Sequence, residues 1–342
     1  MKGLLLINLG TPDEPTPKAV RRYLREFLSD PNVIDISALG RFLLLNLVIL
    51  PFRPKKSAEA YQQIWDETTG SPLLHNSLKL TEAVAKRLEG SWQVEFGMRY
   101  GNPSLQSAME RLRDAGVEEV VVLPLYPQYA TSSTASSIQA VQRIWKELGE
   151  PYPLQFIENF YRDAGFIRAL KATSEAHVQT GEGYHVLFSC HGLPVRQVAA
   201  TATEPGLCCE VEDCCNTIQE INQRCYRAQC LATSRLLAKE LGLKEGDWSM
   251  SFQSRLGRTP WIQPFTDEHI PKLVEDGVRH LHVICHSFTA DCLETLEEIG
   301  IRAREDFQAA GGESLTLVPC VNDHPVWVEG IAELAARQVS TS

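Results

Sequence analysis

The sequence predicts an α/β fold made of two similar domains, and three observations lead to this prediction. The chain has 342 residues, roughly twice the usual length of a single domain. Short apolar runs alternate with segments in which apolar residues recur three and four positions apart, which is typical of parallel strands joined by helices. Gly149, Pro151 and Pro153 interrupt this alternation and indicate a boundary. We expect domains over residues 1–160 and 161–324, with a C-terminal helix over 325–342 returning to the first.

Seven runs rich in Val, Ile, Leu or Phe are the predicted strands. In chain order they are Gly3–Asn8, Gln93–Gly97, Glu119–Pro124, Tyr184–Ser189, Trp248–Phe252, His280–Cys285 and Ser314–Pro319. Strands that alternate with helices pair in parallel, and helices cover both faces of their sheets. The first run is followed by no small-residue cleavage site, so we interpret it as a strand and not as a signal peptide, and we expect a cytoplasmic location.

Six segments between or after these strands have helical periodicity. They are Leu105–Ala115, Ile138–Leu148, Phe166–His177, Ala232–Leu241, Cys292–Ala303 and Pro325–Arg337. Composition agrees with a folded chain, since 44% of residues are hydrophobic and 22% are charged. The formal net charge of -10 argues against a nucleic-acid partner, which requires a surplus of Lys and Arg.

An apolar run over Phe42–Phe52 is flanked by basic residues on both sides and departs from the strand and helix pattern. It is too short to cross a bilayer, which needs about 20 residues. Two interpretations are open. The run could be a buried core helix, or it could be an apolar lip that touches a membrane surface or an apolar ligand.

His191 comes directly after a predicted strand and is followed by Gly192 and Pro194. Ligands of α/β proteins bind at the carboxyl ends of parallel strands. A histidine at that position is placed to accept a proton or bind a metal at neutral pH. We therefore take His191 as a candidate catalytic residue.

Three acidic residues follow a later strand at helical spacing. Asp291, Glu294 and Glu298 stand at i, i+3 and i+7, so on one helix they would share a face. The helix dipole favours acidic residues at a helix N-terminus, and this alone would explain the presence of Asp291. It would not explain Glu298, which lies two turns further on. Such a line of carboxylates suits the passage of a divalent cation or of protons, and oxygen and imidazole ligands both suit Fe²⁺.

Aromatic rings and arginines come together just past two strand ends. Arg99 and Tyr100 follow one predicted strand, and Arg255 and Trp261 follow another. A flat aromatic ligand that carries carboxylates is bound well by this combination, because rings stack on it and guanidinium groups hold its acids. The aromatic residues could equally belong to the core.

Several strings in the chain together resemble the ferrochelatase family. LLLINLGTP, LPLYPQYATSSTASS, SCHGLP, SFQSRLGRTPWIQPFTDE and DCLETLEEI occur in this order, and the similarity runs through essentially the whole chain. The resemblance implies two Rossmann-like domains, each with a parallel four-stranded sheet flanked by helices, and an active cleft between them. It implies a lyase that inserts Fe²⁺ into protoporphyrin IX to form haem.

The resemblance also assigns site residues. His191 matches the active-site histidine of the family and Glu294 its essential glutamate, and these two are expected to meet the substrate iron. Asp291 and Glu298 fall on the acidic track behind Glu294. The porphyrin pocket is expected to include Leu9, Arg99, Tyr100 and Phe288, to which the strand-end pattern adds Trp261.

Two positions near the predicted site depart from the family pattern. Cys190 stands where the family usually has Phe before the active histidine, and His286-Ser287 replaces the usual Pro-Gly before Phe288. Neither change removes a matched catalytic residue. His286 is therefore an additional polar group near the cleft.

The choice of porphyrin depends on residues outside the matched catalytic set. Family members that act on coproporphyrin III tend to carry Tyr just after the first Gly-Thr-Pro, where this chain has Asp13. Together with the apolar run this favours protoporphyrin IX, while coproporphyrin III stays open as the substrate.

Two other functions are also open. One is a cobalt or nickel tetrapyrrole chelatase, and the other, in a different class, is a two-domain solute-binding protein. The oligomeric state is open, a homodimer included, as is peripheral contact with the inner membrane.

Six of the ten cysteines lie within 23 residues, inside a predicted insertion over 206–230. They are Cys208, Cys209, Cys214, Cys215, Cys225 and Cys230. Scattered buried cysteines are usual, but a dense cluster in a polar stretch indicates a metal site, since disulfides are disfavoured in a reducing cytoplasm. Spacing alone does not separate zinc from an iron-sulfur cluster.

The resemblance favours the iron-sulfur interpretation of these cysteines. Some bacterial ferrochelatases carry a [2Fe-2S] cluster held by four cysteines of an internal segment. We expect Cys225 and Cys230 to be ligands, with one thiolate from Cys208 or Cys209 and one from Cys214 or Cys215. The cluster would be structural or a redox sensor, because the cysteines lie outside the His191 and Glu294 machinery.

Overall fold

The computed structural model describes residues 1–202, 213–257 and 259–340. Within them, eight strands form two separate sheets. The strands are β1 (Lys2–Gly10), β2 (Trp92–Tyr100), β3 (Val120–Pro124), β4 (Leu154–Phe156), β5 (Tyr184–His191), β6 (Trp248–Gln253), β7 (His280–Ile284) and β8 (Ser314–Val318). Every pairing in both sheets is parallel. The expected α/β class with two four-stranded parallel sheets is confirmed.

Helices connect nearly all of these strands. They are α1 (Pro17–Ser29), α2 (Ala38–Leu43), α3 (Leu50–Ile64), α4 (Pro72–Arg87), α5 (Leu105–Asp114), α6 (Ser136–Glu147), α7 (Ala164–Ser174), α8 (Val195–Ala199), α9 (Tyr226–Glu240), α10 (Thr266–Glu275), α11 (Leu293–Leu296), α12 (Arg304–Ala309) and α13 (Pro325–Ser340). π-Helical turns occur at Leu44–Ile49, Thr131–Ala135 and Glu298–Ala303, and a 3₁₀ turn at Glu220–Asn222.

The chain divides into two compact units. The first comprises Met1–Tyr126, Thr131–Asn159 and the residues from Val328 onward, and the second comprises Pro127–Ala130 and Phe160–Trp327. Most of α13 therefore belongs to the first unit, although the helix begins in the second. Each unit contains one complete sheet and its own hydrophobic core.

The sheet of the first unit has the strand order β2-β1-β3-β4. Its central strands are buried on both faces, as expected of a parallel sheet covered by helices. Leu5 and Ile7 of β1 pack with Val120 and Val122 of β3 against α5 and α6. This packing fixes the carboxyl ends of β1 and β2, where Leu9 and Arg99 lie.

The sheet of the second unit has the order β6-β5-β7-β8, so the two units have the same topology. β5 pairs with β6 in a register that sets Ser189 beside Ser251 and His191 beside Gln253. A core around Leu187, Val283 and Phe307 covers one face of the sheet. The register therefore determines which side chains stand next to His191.

The structure adds elements that the apolar pattern does not reveal. β4 has three residues and no clear hydrophobic run, and it follows Pro153 at the edge of its sheet, where prolines are tolerated. α1, α4 and α10 also escaped the sequence prediction. α1 and α4 each have a proline in the first turn. The N–H groups of the first turn have no partner within the helix, so the N–H that proline lacks is not missed there.

The apolar run over Phe42–Phe52 is not a buried core helix. It covers the end of α2, a π-helical turn and the start of α3. Six large apolar side chains of this region are exposed, namely Leu39, Phe42, Leu43, Leu47, Val48 and Phe52, and the exposed fraction of Phe52 reaches 76%. Only Leu45 and Leu50 of the run's apolar side chains are buried. Within the part of the chain that the structure describes, no helix is both long enough and apolar enough to cross a bilayer.

Candidate active site

His191 is the last residue of β5, and the surroundings of its ring determine which nitrogen carries the proton. The Nδ1 atom lies 2.6 Å from the carbonyl oxygen of Gly192. Because a carbonyl only accepts hydrogen bonds, Nδ1 must carry a hydrogen and donate it. The Nε2 atom of the neutral ring is then left with its lone pair, which can accept a proton or bind a metal.

Gly192 permits a close approach that no other residue allows. A Cβ atom at this position would lie 2.8 Å from the carbonyl oxygen of Gln253 and 3.2 Å from the indole ring of Trp261. The Gly192 amide also donates to that Gln253 carbonyl at 2.7 Å. The turn after His191 is thus held against β6, and Trp261 lies beside it.

Phe288 lies near His191, and Trp261 lies beside the turn that follows it. The rings of His191 and Phe288 meet edge to face with centroids 6.3 Å apart. Trp261 forms an isolated bridge with Pro194 and donates its indole N–H to the Leu256 carbonyl at 2.9 Å. Two partly exposed aromatic side chains therefore accompany the histidine.

Glu298 is held by residues at the end of β6. Its carboxylate accepts hydrogen bonds from the Ser254 backbone at 2.8 Å and from the Ser254 hydroxyl at 2.5 Å. Burial raises the pKa of Glu298, although the Ser254 hydrogen bond opposes the shift. A carboxyl group with a raised pKa gives up and takes back protons at less acidic pH than an ordinary glutamate does.

Gln253 connects Glu298 to the strand that carries His191. The Ser189 hydroxyl donates to Gln253 Oε1 at 2.7 Å, which directs Nε2 towards the Glu294 carbonyl at 2.7 Å. The sequence prediction missed both Gln253 and Ser254. A usable signal was present, because these polar residues end the strand that follows β5 in the chain and belong to the family-like string SFQSRLGRTPWIQPFTDE.

The three acidic residues do not share one helical face, and that prediction is wrong for Asp291. α11 begins at Leu293, and Cys292 is extended (φ -147°, ψ -172°) as its N-cap. Asp291 therefore precedes the helix. Its carboxylate accepts from Asn322 Nδ2 at 2.8 Å and from the Cys320 amide at 3.3 Å.

The periodicity changes again at Glu298, where a π-helical turn begins. The Arg302 amide donates to the Glu297 carbonyl at 3.0 Å, a bond across five residues. Single π-helical turns of this kind frequently occur at functional sites. Glu294 lies in the first turn of α11, and its charge contributes to the raised pKa of Glu298, so these two carboxyl groups are close enough to interact.

In the first unit, Arg99 and Tyr100 belong to a buried polar network. Arg99 contacts Asp30 at 2.5 Å and the Ser136 hydroxyl at 2.8 Å, and its guanidinium lies 4.3 Å from the centre of the Tyr100 ring. Burial opposes ionisation of Asp30. Hydrogen bonds from Ser136, Asn32 and Tyr100 and the charge of Arg99 outweigh it and hold the Asp30 pKa below its usual range.

Tyr100 is 1% exposed, so its ring is buried in the first unit and offers no free face on which a ligand could stack. Leu9 is partly exposed at the end of β1, and its amide is held by the Asn8 side chain at 2.9 Å. Arg255 is paired with Asp267 and Glu268, each at 2.8 Å, which reduces its capacity to bind a ligand's acid.

Four of the six clustered cysteines lie within the described residues, whereas Cys208 and Cys209 lie outside them. The sulfur atoms of Cys214 and Cys215 are 3.6 Å apart. A hydrogen bond with Cys225, together with burial, raises the pKa of Cys215. Cys230 instead contacts Cys190. In the described residues no group of three or more His, Cys, Asp or Glu side chains has an arrangement that could hold a metal ion.

The chain is similar to known proteins over nearly its whole length. A family model described as Ferrochelatase matches residues 1–339. A protein of Coxiella burnetii (strain CbuG_Q212) named "Ferrochelatase" is 46% identical over 339 residues, covering 98% of this chain and 94% of the relative. A "Ferrochelatase" of Legionella pneumophila (strain Corby) is 44% identical over 338 residues and 99% of both chains.

A solved structure described as "SirB from Bacillus subtilis with Fe3+" has a TM-score of 0.55 at 11% identity, covering 98% of this chain and 95% of that chain. This likeness concerns the fold, which is that of chelatases. The family match and the relatives extend over nearly the whole chain and include the strand end at His191 and the π-helical turn that begins at Glu298. The chain therefore belongs to the ferrochelatase family, whose members are lyases that insert iron into a porphyrin in haem biosynthesis.

Proposed function

We propose that this ferrochelatase acts on protoporphyrin IX and that His191, Glu294, Glu298 and Asp291 carry out the insertion. The observation that carries the proposal is the orientation of His191. Its Nδ1 is bonded to the Gly192 carbonyl, so the lone pair of Nε2 is available next to a carboxyl group with a raised pKa. An acceptor and a proton carrier are thus present together.

Insertion of Fe²⁺ requires the loss of two protons from the pyrrole nitrogens of the macrocycle. In the proposed mechanism His191 Nε2 accepts one proton, and Glu294 and Glu298 carry protons away from the site. Ser254 and Gln253 keep the Glu298 carboxylate in place whether or not it is protonated, because the Ser254 hydroxyl and amide are fixed donors. Asp291 extends the track behind Glu294.

The substrate iron is expected to meet His191 and Glu294 first, and the Nε2 lone pair accepts a pyrrole proton only after the iron has left it for the macrocycle. An imidazole nitrogen and a carboxylate oxygen are both suitable ligands for Fe²⁺. Phe288 and Trp261, which accompany His191, would contact the porphyrin face. Within the first unit, Tyr100 supports the Arg99 guanidinium. Bending of the bound ring, at a cost of about 1–5 kcal/mol drawn from such contacts, would turn a pyrrole lone pair towards the metal.

The preference for protoporphyrin IX over coproporphyrin III is supported by charge and by apolar surface. Asp13 is an exposed carboxylate that contacts Asn102 at 2.9 Å and Arg22 at 3.3 Å. A carboxylate near the ligand repels further propionates, and coproporphyrin carries two more than protoporphyrin does. Phe42–Phe52 offers exposed apolar side chains suited to vinyl groups.

We expect kcat/KM for protoporphyrin IX to exceed that for coproporphyrin III by at least about tenfold, because the loss of a complementary apolar contact and the gain of a like-charge contact are each worth about 1 kcal/mol or more. The measurement is the rate of metalloporphyrin formation with each porphyrin and Fe²⁺. Asp13→Asn is expected to lower the ratio of kcat/KM for protoporphyrin IX to kcat/KM for coproporphyrin III. A higher value for coproporphyrin III would assign the enzyme to that substrate.

We also propose that the apolar segment rests on the surface of the inner membrane at its cytoplasmic face. The exposed residues Phe42 and Leu47 lie near basic side chains, and a hollow of about 330 Å³ beside them is lined by Arg25 and Arg41 together with Phe42. Apolar side chains bordered by cations are the usual composition of a surface that binds anionic lipid interfaces.

Replacing the exposed Leu47 with Ser tests the segment as a ligand and lipid contact. We expect a higher KM for protoporphyrin IX and weaker sedimentation with phosphatidylglycerol vesicles, while the melting temperature changes little because the side chain is 66% exposed. Leu45→Ser is the matched control, since Leu45 is 3% exposed and its loss should lower the melting temperature by several degrees. An unchanged KM and unchanged vesicle binding in Leu47→Ser would refute the assignment.

We further propose a [2Fe-2S] cluster on the cysteine-rich segment. The sulfur atoms of Cys214 and Cys215 are 3.6 Å apart and Cys215 hydrogen-bonds to Cys225, but the described side chains are not arranged as a metal site. The support for the proposal is the chemistry of the thiolates, which are the usual ligands of such a cluster. Cys208 or Cys209 would supply the remaining thiolate. The place of Cys230 differs from expectation, because its thiol contacts Cys190. When bound, the cluster would supply a one-electron redox centre outside the reaction itself.

The cluster is tested by colour and iron content. Purified enzyme is expected to show visible charge-transfer absorption that dithionite bleaches, with two iron and two sulfide per chain. Cys225→Ala should abolish this absorption, whereas Cys320→Ala, a buried cysteine near Asp291, should retain it. Colourless protein with stoichiometric zinc would overturn the proposal.

A further inference from the structure

Behind His191 lies a buried polar cluster to which the reaction assigns no role. It contains Cys190 and His286, two of the positions at which the chain departs from the family pattern. Their side chains touch, with Cys190 Sγ 3.6 Å from His286 Nε2, and both residues are 0% exposed. The two departures are therefore neighbours in space, although they are 96 residues apart in the chain.

The hydrogen bonds around His286 fix a neutral ring in one tautomer. The Gln128 amide nitrogen lies 3.0 Å from the Thr233 hydroxyl and 3.4 Å from His286 Nδ1. The Thr233 hydroxyl donates to the Tyr161 carbonyl at 2.8 Å, so it accepts from Gln128. An amide nitrogen donates only, and His286 Nδ1 is consequently the acceptor.

The other ring nitrogen of His286 then carries the proton. His286 Nε2 lies 2.8 Å from the Ser234 hydroxyl and donates to it. The Ser234 hydroxyl in turn donates to the Cys230 carbonyl at 3.1 Å. One imidazole ring thus connects the segment after β7 to α9 and to Gln128, and each of its two nitrogens has a partner.

This cluster reaches the backbone of His191 by two routes. Cys190 directly precedes His191 in β5. Ser287, which directly follows His286, accepts a hydrogen bond from the His191 amide at 3.1 Å. Tyr226 of α9, which is buried, also hydrogen-bonds to Ser287. A displacement of His286 would therefore move both the residue before His191 and the hydroxyl that holds its amide.

We propose that His286 is a positioning residue for iron insertion and that Cys190 and His286 are a matched pair in this chain. The small thiol leaves room for the imidazole ring, which sets the backbone of His191 through Ser287. The inference rests on the proposed role of His191. A misplacement of about 1 Å at a reacting group can cost 10²-fold in rate, so the expected effect falls on kcat.

The test measures kcat and KM for porphyrin and the melting temperature of the full-length enzyme. We expect His286→Ala to lower kcat roughly 10- to 100-fold with KM changed less than about threefold, because the bound ring still makes its own contacts. His286→Gln, which can still donate to Ser234, should recover most of kcat. His269→Ala is the matched control, since His269 makes the same kind of contact to Ser249 at 2.8 Å and should leave kcat unchanged.

The matched pair is tested by a double-mutant cycle. Cys190→Phe alone should force a phenyl ring into the imidazole, and His286→Pro alone should leave Ser234 and Gln128 without their partner. Each should therefore lower both kcat and the melting temperature. The double variant should recover both properties relative to either single variant. If instead the losses multiply, the matched pair is refuted.

Two further variants, Ser234→Ala and His191→Ala, make each possible result interpretable. If His286→Ala does not fold, Ser234→Ala removes the partner of Nε2 without opening a large cavity and should show the same loss of kcat. Wild-type kcat in a folded His286→Ala or Ser234→Ala overturns the positioning role. His191→Ala assayed alongside separates the two hypotheses, because normal turnover there would refute the role of His191 whatever the His286 variants do.

Discussion

Replacing His191 with Ala is expected to lower kcat for iron insertion by at least about 100-fold, since a positioned acid or base contributes about 10²–10⁴-fold. The melting temperature should change little, because the ring is partly exposed and its Nδ1 bond to the Gly192 carbonyl is local. Porphyrin binding, measured by quenching of porphyrin fluorescence, should stay within a few-fold of the parent. Metalloporphyrin formation under anaerobic Fe²⁺ gives the rate.

Added imidazole should partly restore the activity of His191→Ala, because the missing group is a neutral nitrogen base. His280→Ala is a suitable control. His280 begins β7, away from the strand end of His191, and packs on Tyr184 with ring centroids 4.6 Å apart. Near-normal turnover by His191→Ala would remove this residue from the mechanism and leave the carboxylates as the only proton acceptors.

Replacing Glu298 with Gln is expected to lower kcat by about 10²-fold and to change its pH dependence. Glutamine keeps an oxygen that can accept the Ser254 hydrogen bonds but cannot titrate. In the parent, kcat should change across the pH range in which Glu298 ionises, which lies above the ordinary glutamate pKa of 4.5. This change should be absent in the variant. Profiles of kcat for both proteins provide the test.

The stability of the two proteins should also diverge with pH, in a direction that follows from the raised pKa of Glu298. The folded state binds this proton more tightly than the unfolded chain does. Its stabilising contribution is fully present below about pH 4.5 and is lost as pH rises through the folded-state pKa. The melting temperature of Glu298→Gln minus that of the parent should therefore increase with pH, and a constant difference would show that burial does not perturb the group.

Much of the fold could be predicted because buried parallel strands are continuous apolar runs. Seven of the eight strands in the described residues coincide with such runs. β4 could not be found this way, since its three residues are too few to form a recognisable apolar run, although Leu154 and Phe156 pack against the core. The first strand of each unit was predicted too short, because pairing extends β1 and β5 through polar residues such as His191.

The sequence could place residues whose position follows from chain order but not those whose contacts depend on register. His191 was predicted to lie at a strand end, and it is the last residue of β5. Gln253 and Ser254 were not predicted, because their relation to Glu298 depends on the pairing of β5 with β6. The helical face assumed for Asp291 failed because the helix begins at Leu293, after Asp291 and the extended Cys292. The contact of Cys230 with Cys190 likewise arises only from tertiary packing.

The pairing of β5 with β6 has a mechanical consequence for the enzyme. His191 and Gln253 are direct partners in the sheet, and the Gly192 amide donates to the Gln253 carbonyl, so the proposed proton acceptor and the residue that holds Glu298 should move together. Thermal twisting of the sheet would shift both groups in the same direction. The distance between the imidazole and the carboxyl group should therefore change little when the sheet deforms, as it would when a substrate as large as a porphyrin enters and leaves.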